Sequence, residues 1–553
     1  MIKLPFFQKG DSKGIHFFSS NNQLAENIFF VFIAFIFLFV IVLFLRLFQL
    51  TIVKGGYYRS LSEQNRIREI TIEAPRGEIV DRKGFIIAKN LLPNVNLEID
   101  QNFLKNDQKI TSQRIYQSPE AISSIVGYRQ IADNGDLKND SCQYKLKLGD
   151  RTGKKGIEKL FDCQLRGIPG KKLVEVDARG KYLRTVDVIQ PQAGEKIQLS
   201  LDLNLQKKSY ELIKGKKAAI IVSNPKTGEI LASVSTPGFN SQDFEDQVDS
   251  NIQNYLVDKN NPLFNRVTEG IYPPGSLFKL VVATAGLEEK TIDEKTQIED
   301  TGTIKAGPLT FGNWYFLSYG KTEGMVDIVK AIRRSNDIFF YKVGEKTGED
   351  KIKKWAGIFG LGKKTGINLN EAEGIIPSSF WKKETLKENW YLGDTYNLSI
   401  GQGYVGTTLL QMALVGNVFA NGGYLCKPEL LKMNSRTSEF ILSEHSESKD
   451  QTCKKLPISK KTIDLIREGM KQACSTGGTG WPLFDFKPQV ACKTGTAESH
   501  AASGMPHAWI TAFAPYDNPE ITVTILVEEG GQGSDVAGPI AKEILKAYFE
   551  RNQ

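Results

Sequence analysis

The feature that most constrains this chain is an unbroken apolar run near its N-terminus, Ile28 to Leu45 (IFFVFIAFIFLFVIVLFL). As a helix rising about 1.5 Å per residue it reaches about 27 Å, close to the hydrocarbon thickness of a bilayer. Bulky apolar side chains surround it on all sides, and a helix without a polar face has no place on the surface of a soluble domain. No small-x-small cleavage site follows, so the run predicts a retained anchor over residues 28–50, not a signal peptide. Arg46 and Gln49 sit at its flank, where a long side chain can reach the interface.

Charge leaves the orientation of that anchor open. Lys3, Lys9 and Lys13 precede the run, while Arg46, Lys54, Arg59, Arg66 and Arg68 follow it. A positive-inside count therefore does not place the body outside, and large domains cross regardless.

A chain of 553 residues exceeds a single core and predicts two folded domains beyond the anchor. The net charge of +8 is spread along the chain, with no zinc-finger or RNA-binding signature. It argues against a nucleic-acid partner and for a mild bias toward an anionic bilayer or wall surface. Six scattered cysteines, no Cys-x-x-Cys and four histidines argue against a structural zinc site. In an oxidising compartment, Cys142–Cys163 and Cys426–Cys453 could each close a hairpin-like excursion. Six buried thiols fit the same spacing.

Residues 51 to about 200 mix strand-like runs with polar turns. ITIEAPRGEIVDRKGFIIA predicts strand, turn, strand, with Arg82-Lys83-Gly84 at the second turn. From about Asp202 the texture changes. LDLNLQKKSYELIKG has helical apolar spacing, and AAIIVSNPKTGEILASVST predicts a hairpin turning at Asn224–Gly228. Helices are expected over 276–288, 325–345 and 408–420. Three apolar strands (QVACKTGTAES, AWITAFAP, EITVTILVEEG) and a helix from about Val536 to Phe549 complete the pattern. Strands at both ends with helices between them predict one sheet built from both termini of residues 201–553.

Within that part Ser276 follows Pro273-Pro274-Gly275 and opens a predicted helix, where the positive end of the dipole and free N–H groups lie close by. Lys279 stands one turn on, on the same face, and once partly desolvated can serve as a base. Spacing alone equally describes a plain N-cap serine. Ser446–Lys449 repeats it in a polar stretch with no apolar helix.

Four Lys-Thr-Gly elements occur. Lys226–Gly228 reads as a hairpin turn, Lys346–Gly348 as a helix C-cap, and Lys364–Gly366 as part of a glycine-rich loop. Only Lys493-Thr494-Gly495-Thr496 continues an apolar strand and precedes another. There Lys493 can attract a carboxylate and repel a proton from Lys279, and Gly495 lets a peptide approach as an added strand. Ser335-Asn336-Asp337 falls inside the predicted helix 325–345, either as a polar corner or as a proton relay through Ser335 with Asp337 holding Lys279. Gly401-Gln-Gly403-Tyr-Val-Gly406 matches a dinucleotide fingerprint but lacks the βαβ context that gives it meaning.

The order Ser-x-x-Lys, Ser-x-Asp, Lys-Thr-Gly-Thr resembles the set shared by penicillin-binding proteins and class A β-lactamases. RGEIVDRKG (76–84) and GKKGIEKLFDCQLRGIPG (153–170) are similar to the two pedestal motifs of class B penicillin-binding proteins. YPPGSLFK, SNDIFFYKVG, WYLGDTYNLSIGQGYVGTTLLQMA and CKTGTAE resemble the elongation branch, penicillin-binding protein 2, over residues 28–549.

The resemblance implies an α+β multidomain chain. It would have a cytoplasmic tail (1–27), a transmembrane anchor (28–50), a mostly β pedestal or dimerisation domain (51–200) and a transpeptidase domain (201–553). In the last, an antiparallel sheet would carry helices on both faces. It further implies a D,D-transpeptidase of the cell inner membrane, its body outside. Ser276, Lys279, Ser335, Asp337 and Lys493 would be catalytic, Thr494, Gly495 and Thr496 would bind substrate, and no cofactor would be needed. Expected partners are peptidoglycan stem peptides, β-lactam antibiotics, a membrane-embedded glycosyltransferase and the lipid bilayer. A β-lactamase or β-lactam sensor on the same fold, or an anchored scaffold, are the rival readings. Some relatives hold a metal near the site. Residues 300–334 here contain no His or Cys, and that site is not carried over.

Overall fold

The computed structural model describes residues 22–92, 109–177, 179–432, 453–499 and 503–550. Its contacts divide the chain into two compact units.

The first unit comprises residues 1–71, 96–109 and 171–189. Its long helix, Asn22–Phe48, runs through the apolar stretch, and Asn27–Val53 is long and apolar enough to cross a membrane. Its large apolar side chains are exposed, from Ile28 to Leu45 without interruption by a buried residue. Beyond it, Ile67–Ile72, Gly170–Val176 and Tyr182–Ile189 form a three-stranded sheet in that spatial order.

The second unit holds residues 72–95, 110–170 and 190–553. Its N-terminal part bears out the strand-turn-strand reading: Ile79–Val80 and Ile86–Asn90 pair antiparallel around the Arg82–Gly84 turn. The two motif segments found in the sequence meet here around a buried charge. Glu158 accepts from Arg76 Nε at 2.5 Å and Arg114 Nε at 2.8 Å, and Arg76 also pairs with Asp162 at 2.8 Å. Burial opposes the charge on Glu158, but Arg114 and Arg76 outweigh it and hold the carboxyl below its usual range. Arg129 repeats the arrangement against Glu245 and Glu73.

The remainder of this unit is built on a five-stranded antiparallel sheet. We number its strands β1 (Ala218–Ser223), β2 (Ile230–Thr236), β3 (Ala491–Ala497), β4 (His507–Ala514) and β5 (Ile521–Val527). The spatial order is β2-β1-β5-β4-β3, so the sheet is made from both ends of the segment, as its strand pattern predicts. Residues of β1 alternate between two cores. Ala218, Ile220 and Val222 join Leu205, Tyr210, Ile540 and Ile544 on one face, whereas Ala219 and Ile221 join Leu409 and Val415 on the other. Burial on both faces explains why these strands read as continuous apolar runs.

The helices that concern the site are α1 (Lys279–Glu288), α2 (Ile328–Arg334), α3 (Asp337–Thr347), α4 (Leu409–Ala420), α5 (Lys460–Ala473) and α6 (Gly538–Phe549). The single helix expected over 325–345 is two. A short strand, Gly324–Val326, comes first, α2 ends at Ser335 in the left-handed conformation (φ 53°), and α3 starts anew. Both halves are apolar at helical spacing, which hides the break. The cause lies in two caps: Asp327 accepts from Lys330 N–H and Asn336 from Phe339 N–H.

All six cysteines are paired. Cys142–Cys163 and Cys426–Cys453 form as the sequence allowed, and a third bond, Cys474–Cys492, was not foreseen. Cys492 sits in β3 directly before Lys493, so this bond ties the strand to the end of α5.

Candidate active site

A turn presents Ser276. Pro273-Pro274 leads into one 3-10 turn, Gly275–Leu277, before α1 begins at Lys279. Gly275 has φ +53°, and a Cβ there would stand 2.7 Å from Thr496 O, so only glycine lets the turn press on β3. Across the contact, a Cβ on Gly495 would stand 2.6 Å from Leu277 Cδ1. Two segments far apart in the chain are thereby in direct contact. Ser276 is half-buried and faces a cleft of about 1020 Å³.

Lys279 and Lys493 are fully buried behind the cleft wall. Lys279 Nζ donates to Asp337 Oδ1 at 2.6 Å, to Ser335 O at 2.8 Å and to Ser335 Oγ at 3.3 Å. Lys493 Nζ donates to the same Ser335 Oγ at 2.8 Å and to Thr494 O at 2.7 Å. Ser335 thus bridges the two buried amines. Its left-handed backbone costs about 1–2 kcal/mol for a residue with a side chain, and it turns both carbonyl and hydroxyl toward Lys279. Ser276, Ser335 and Asp337 line one cleft, and Lys279 and Lys493 reach it from behind through their hydrogen bonds to Ser335 and Asp337.

Burial lowers the proton affinity of Lys279, opposed by the Asp337 carboxylate. Burial and then the Lys279 charge push Lys493 well below the ordinary lysine value, with Asp337 acting against them. One carboxylate shared by two buried amines favours a site carrying one proton fewer than two lysines would hold in water.

Beside the serine turn, β3 forms a wall of the cleft as an edge strand that, among the described residues, pairs with β4 alone. Thr494, Gly495 and Thr496 line it. Thr494 Oγ1 donates to Thr479 Oγ1 at 2.8 Å, and Thr496 Oγ1 to Gln532 Oε1 at 3.2 Å. Phe311, Trp314, Tyr319, Tyr341 and Trp481 supply aromatic surface.

The other motif copies lie elsewhere. Lys226–Gly228 closes the β1–β2 turn, Gly348 ends α3, and Thr365 and Gly366 donate backbone N–H groups to Glu371. Ser446–Lys449 lies outside the described residues. The Gly401–Gly406 segment is a loop from the helix Leu392–Ser399 to α4, and Gly401 O accepts the Gly275 N–H at 2.9 Å. It shapes the serine turn.

The description "Penicillin binding protein transpeptidase domain" matches residues 218–546, and "Penicillin-binding Protein dimerisation domain" matches residues 107–199. The peptidoglycan D,D-transpeptidase MrdA of Haemophilus influenzae is 31% identical over 92% of this chain and 89% of its own length. The chain belongs to the penicillin-binding proteins.

Solved structures agree with this family placement. The penicillin-binding protein resembles PBP2 of Helicobacter pylori, solved in complex with MreC, at 29% identity and a TM-score of 0.72, covering 88% of this chain and 99% of that one. A chain solved in a study of a peptidoglycan synthase complex that coordinates polymerization and crosslinking gives 26% identity and a TM-score of 0.73, over 94% and 98%.

Several residues of the penicillin-binding protein's site escaped the sequence reading. Asn313 Oδ1 accepts the Asp337 N–H at 3.1 Å, and Trp314 N–H donates to Asp337 Oδ2 at 2.9 Å. Thr479, Gln402 and Gln532 reach β3 from three loops. Apart from Gln402, which lies within the Gly401–Gly406 match, none belongs to a spaced pattern. The glycine-rich match around Gln402 was the one available signal, and for Asn313, Trp314, Thr479 and Gln532 the sequence offers none.

Proposed function

We propose that this penicillin-binding protein is a peptidoglycan D,D-transpeptidase, cross-linking stem peptides during cell elongation through a Ser276 acyl-enzyme. The observation that carries the proposal is the convergence of one cleft-facing hydroxyl with two buried amines, a carboxylate and a glycine-bearing edge strand. A donor peptide ending in D-Ala–D-Ala adds to β3, its carboxylate held by Thr494 and Thr496 with Lys493 behind them. Lys279 takes the Ser276 proton as Oγ bonds to the penultimate carbonyl carbon. The Ser276 and Thr496 backbone N–H groups are assigned to the oxyanion. The C–N bond to the terminal D-Ala then breaks, and its amine receives the proton through Ser335. An amine from a neighbouring stem attacks the ester and loses its proton to the restored base, which passes it to Ser276 Oγ as the C–Oγ bond breaks.

β-Lactams acylate the same hydroxyl because they present a strained amide and a carboxylate in the donor's arrangement. The exposed apolar helix is assigned to the inner membrane, with the body outside where wall precursors lie. Residues 51–200 serve as pedestal and 201–553 as the catalytic domain. A membrane-embedded glycosyltransferase of the elongation machinery is the proposed partner, in keeping with the synthase complex that resembles this chain.

The test is peptide mass spectrometry after incubation with penicillin. A stable penicilloyl group on the peptide bearing Ser276, absent in Ser276→Ala, is expected. Rapid release of the label would favour a β-lactamase, and a label on another residue would overturn the assignment.

A further inference from the structure

One buried carboxylate near the site takes no part in the mechanism above. Asp300 ends the short strand Ile298–Asp300 and is 3% exposed. Its Oδ2 accepts from Asn313 Nδ2 at 2.8 Å, Glu323 N–H at 2.9 Å and Asn336 Nδ2 at 2.9 Å, and its Oδ1 accepts from Gly302 N–H at 2.9 Å. Among the described residues it makes no ion pair. An ionised carboxylate is costly to bury without a cation, so four converging N–H groups mark a deliberate anchor. These neighbours turn hydrogens toward the carboxylate, not the lone pairs that a cation requires, so the shell does not fit a metal ion.

Two of those four donors lead straight to the catalytic turn. Asn313 spends its amide hydrogen on Asp300 and its oxygen on the Asp337 N–H, while the adjoining Trp314 N–H holds Asp337 Oδ2. Asn336 spends its amide hydrogen on Asp300 and its oxygen on the cap of α3. Asn313 and Asn336 are both fully buried, so neither can exchange these partners for water.

We propose that Asp300 is a positioning residue of the transpeptidation site. It locks the amide orientations of Asn313 and Asn336, and through them it fixes the Ser335–Asp337 turn and the carboxylate that holds Lys279. This rests on the reading of Lys279 as the base. The titratable groups facing the Lys279–Asp337 pair are Lys493 on β3 and Tyr341 on α3.

The direction of the effect follows. Asp337 favours the ammonium form of Lys279, so a loosened Asp337 lets Lys279 lose its proton at lower pH. Acylation by a fluorescent penicillin is timed against pH for the full chain, Asp300→Asn, Asn313→Ala and Asp81→Asn. Asp81 is an equally buried aspartate that caps a turn remote from the site in sequence, through Lys83 and Phe85 N–H groups. Both Asp300→Asn and Asn313→Ala should slow the plateau rate by about tenfold or more and shift its acidic limb to lower pH. Asp81→Asn should lower Tm and leave the limb in place. An unmoved limb in Asn313→Ala, whatever its amplitude, would overturn the proposal, and that variant decides the matter if Asp300→Asn does not fold. Failure of the wild-type chain to acylate at Ser276 would instead defeat the transpeptidase reading.

Discussion

Lys279 Nζ and Asp337 Oδ1 stand 2.6 Å apart, with the lysine wholly buried. A base must be neutral to accept a proton, yet this neighbour stabilises its charged form. Burial acts against that neighbour at Lys279, while burial and the Lys279 charge both depress Lys493, which shares Ser335 Oγ with it. The polar core of the site is one coupled unit, and its behaviour belongs to the trio.

Acylation should therefore rise with pH and reach its plateau below the ordinary lysine value of 10.5, because burial lowers both amines. The same shift has a stability consequence. Folded values below the unfolded one mean that the unfolded chain binds more protons, so stability gains as pH rises through that window and falls back on the acid side. Stopped-flow labelling and chemical denaturation across pH measure the two separately, and a labelling rate still climbing at 10.5 would contradict the first.

Lys493→Ala and Ser335→Ala should each slow penicillin acylation by roughly 10²–10⁴-fold, the range for losing a proton-transfer partner. The double variant should lose far less than the product of the two, since both act on one hydrogen-bonded unit. Rates that multiply would show that the two residues work independently.

Removing the Cys474–Cys492 bond by serine substitution should cost about 3 kcal/mol of stability by the chain-entropy argument for a loop of this length. It should also slow acylation, because Cys492 adjoins Lys493 and the bond joins β3 to α5. Serine substitution of Cys142 and Cys163 should lower Tm and leave the acylation rate unchanged. Equal effects of the two pairs on rate would refute the distinction.

Glu158→Gln should destabilise the N-terminal part of its unit by about 3–5 kcal/mol, as expected when a buried ion pair loses one partner. Arg76 and Arg114 would keep their charges without the carboxylate between them. Glu158 and Asp162 are held below their ordinary values of 4.5 and 3.8, so their contribution is complete above those values and disappears as pH falls through the lowered ones. Acid unfolding followed by circular dichroism should show a shallower loss in Glu158→Gln than in wild type.

The sheet and the motif residues were legible because their signals are local. Continuous apolar runs marked β1, β2, β4 and β5, and Ser276, Lys279 and Lys493 each sit where an apolar element begins or passes. What was hidden depends on tertiary pairing. The Ser335 break lay inside two helical patterns that run together, and only Asp327 and Asn336, read as caps, would have split them. Cys492 passed for a strand residue until Cys474 was seen beside it. Asp300 and Asn313 carry no spacing rule, and their importance arises only when four N–H groups converge.

In the catalytic sheet, β1 pairs along its length with β5, Ala218 opposite Val527 and Ser223 opposite Thr522. A ribosome that has already released the serine turn still holds back the strand on which β1 and β4 both depend. Every nascent or prematurely terminated polypeptide lacking that strand is left without a platform for Lys493. Synthesis itself thus withholds a reactive nucleophile until β5 has emerged.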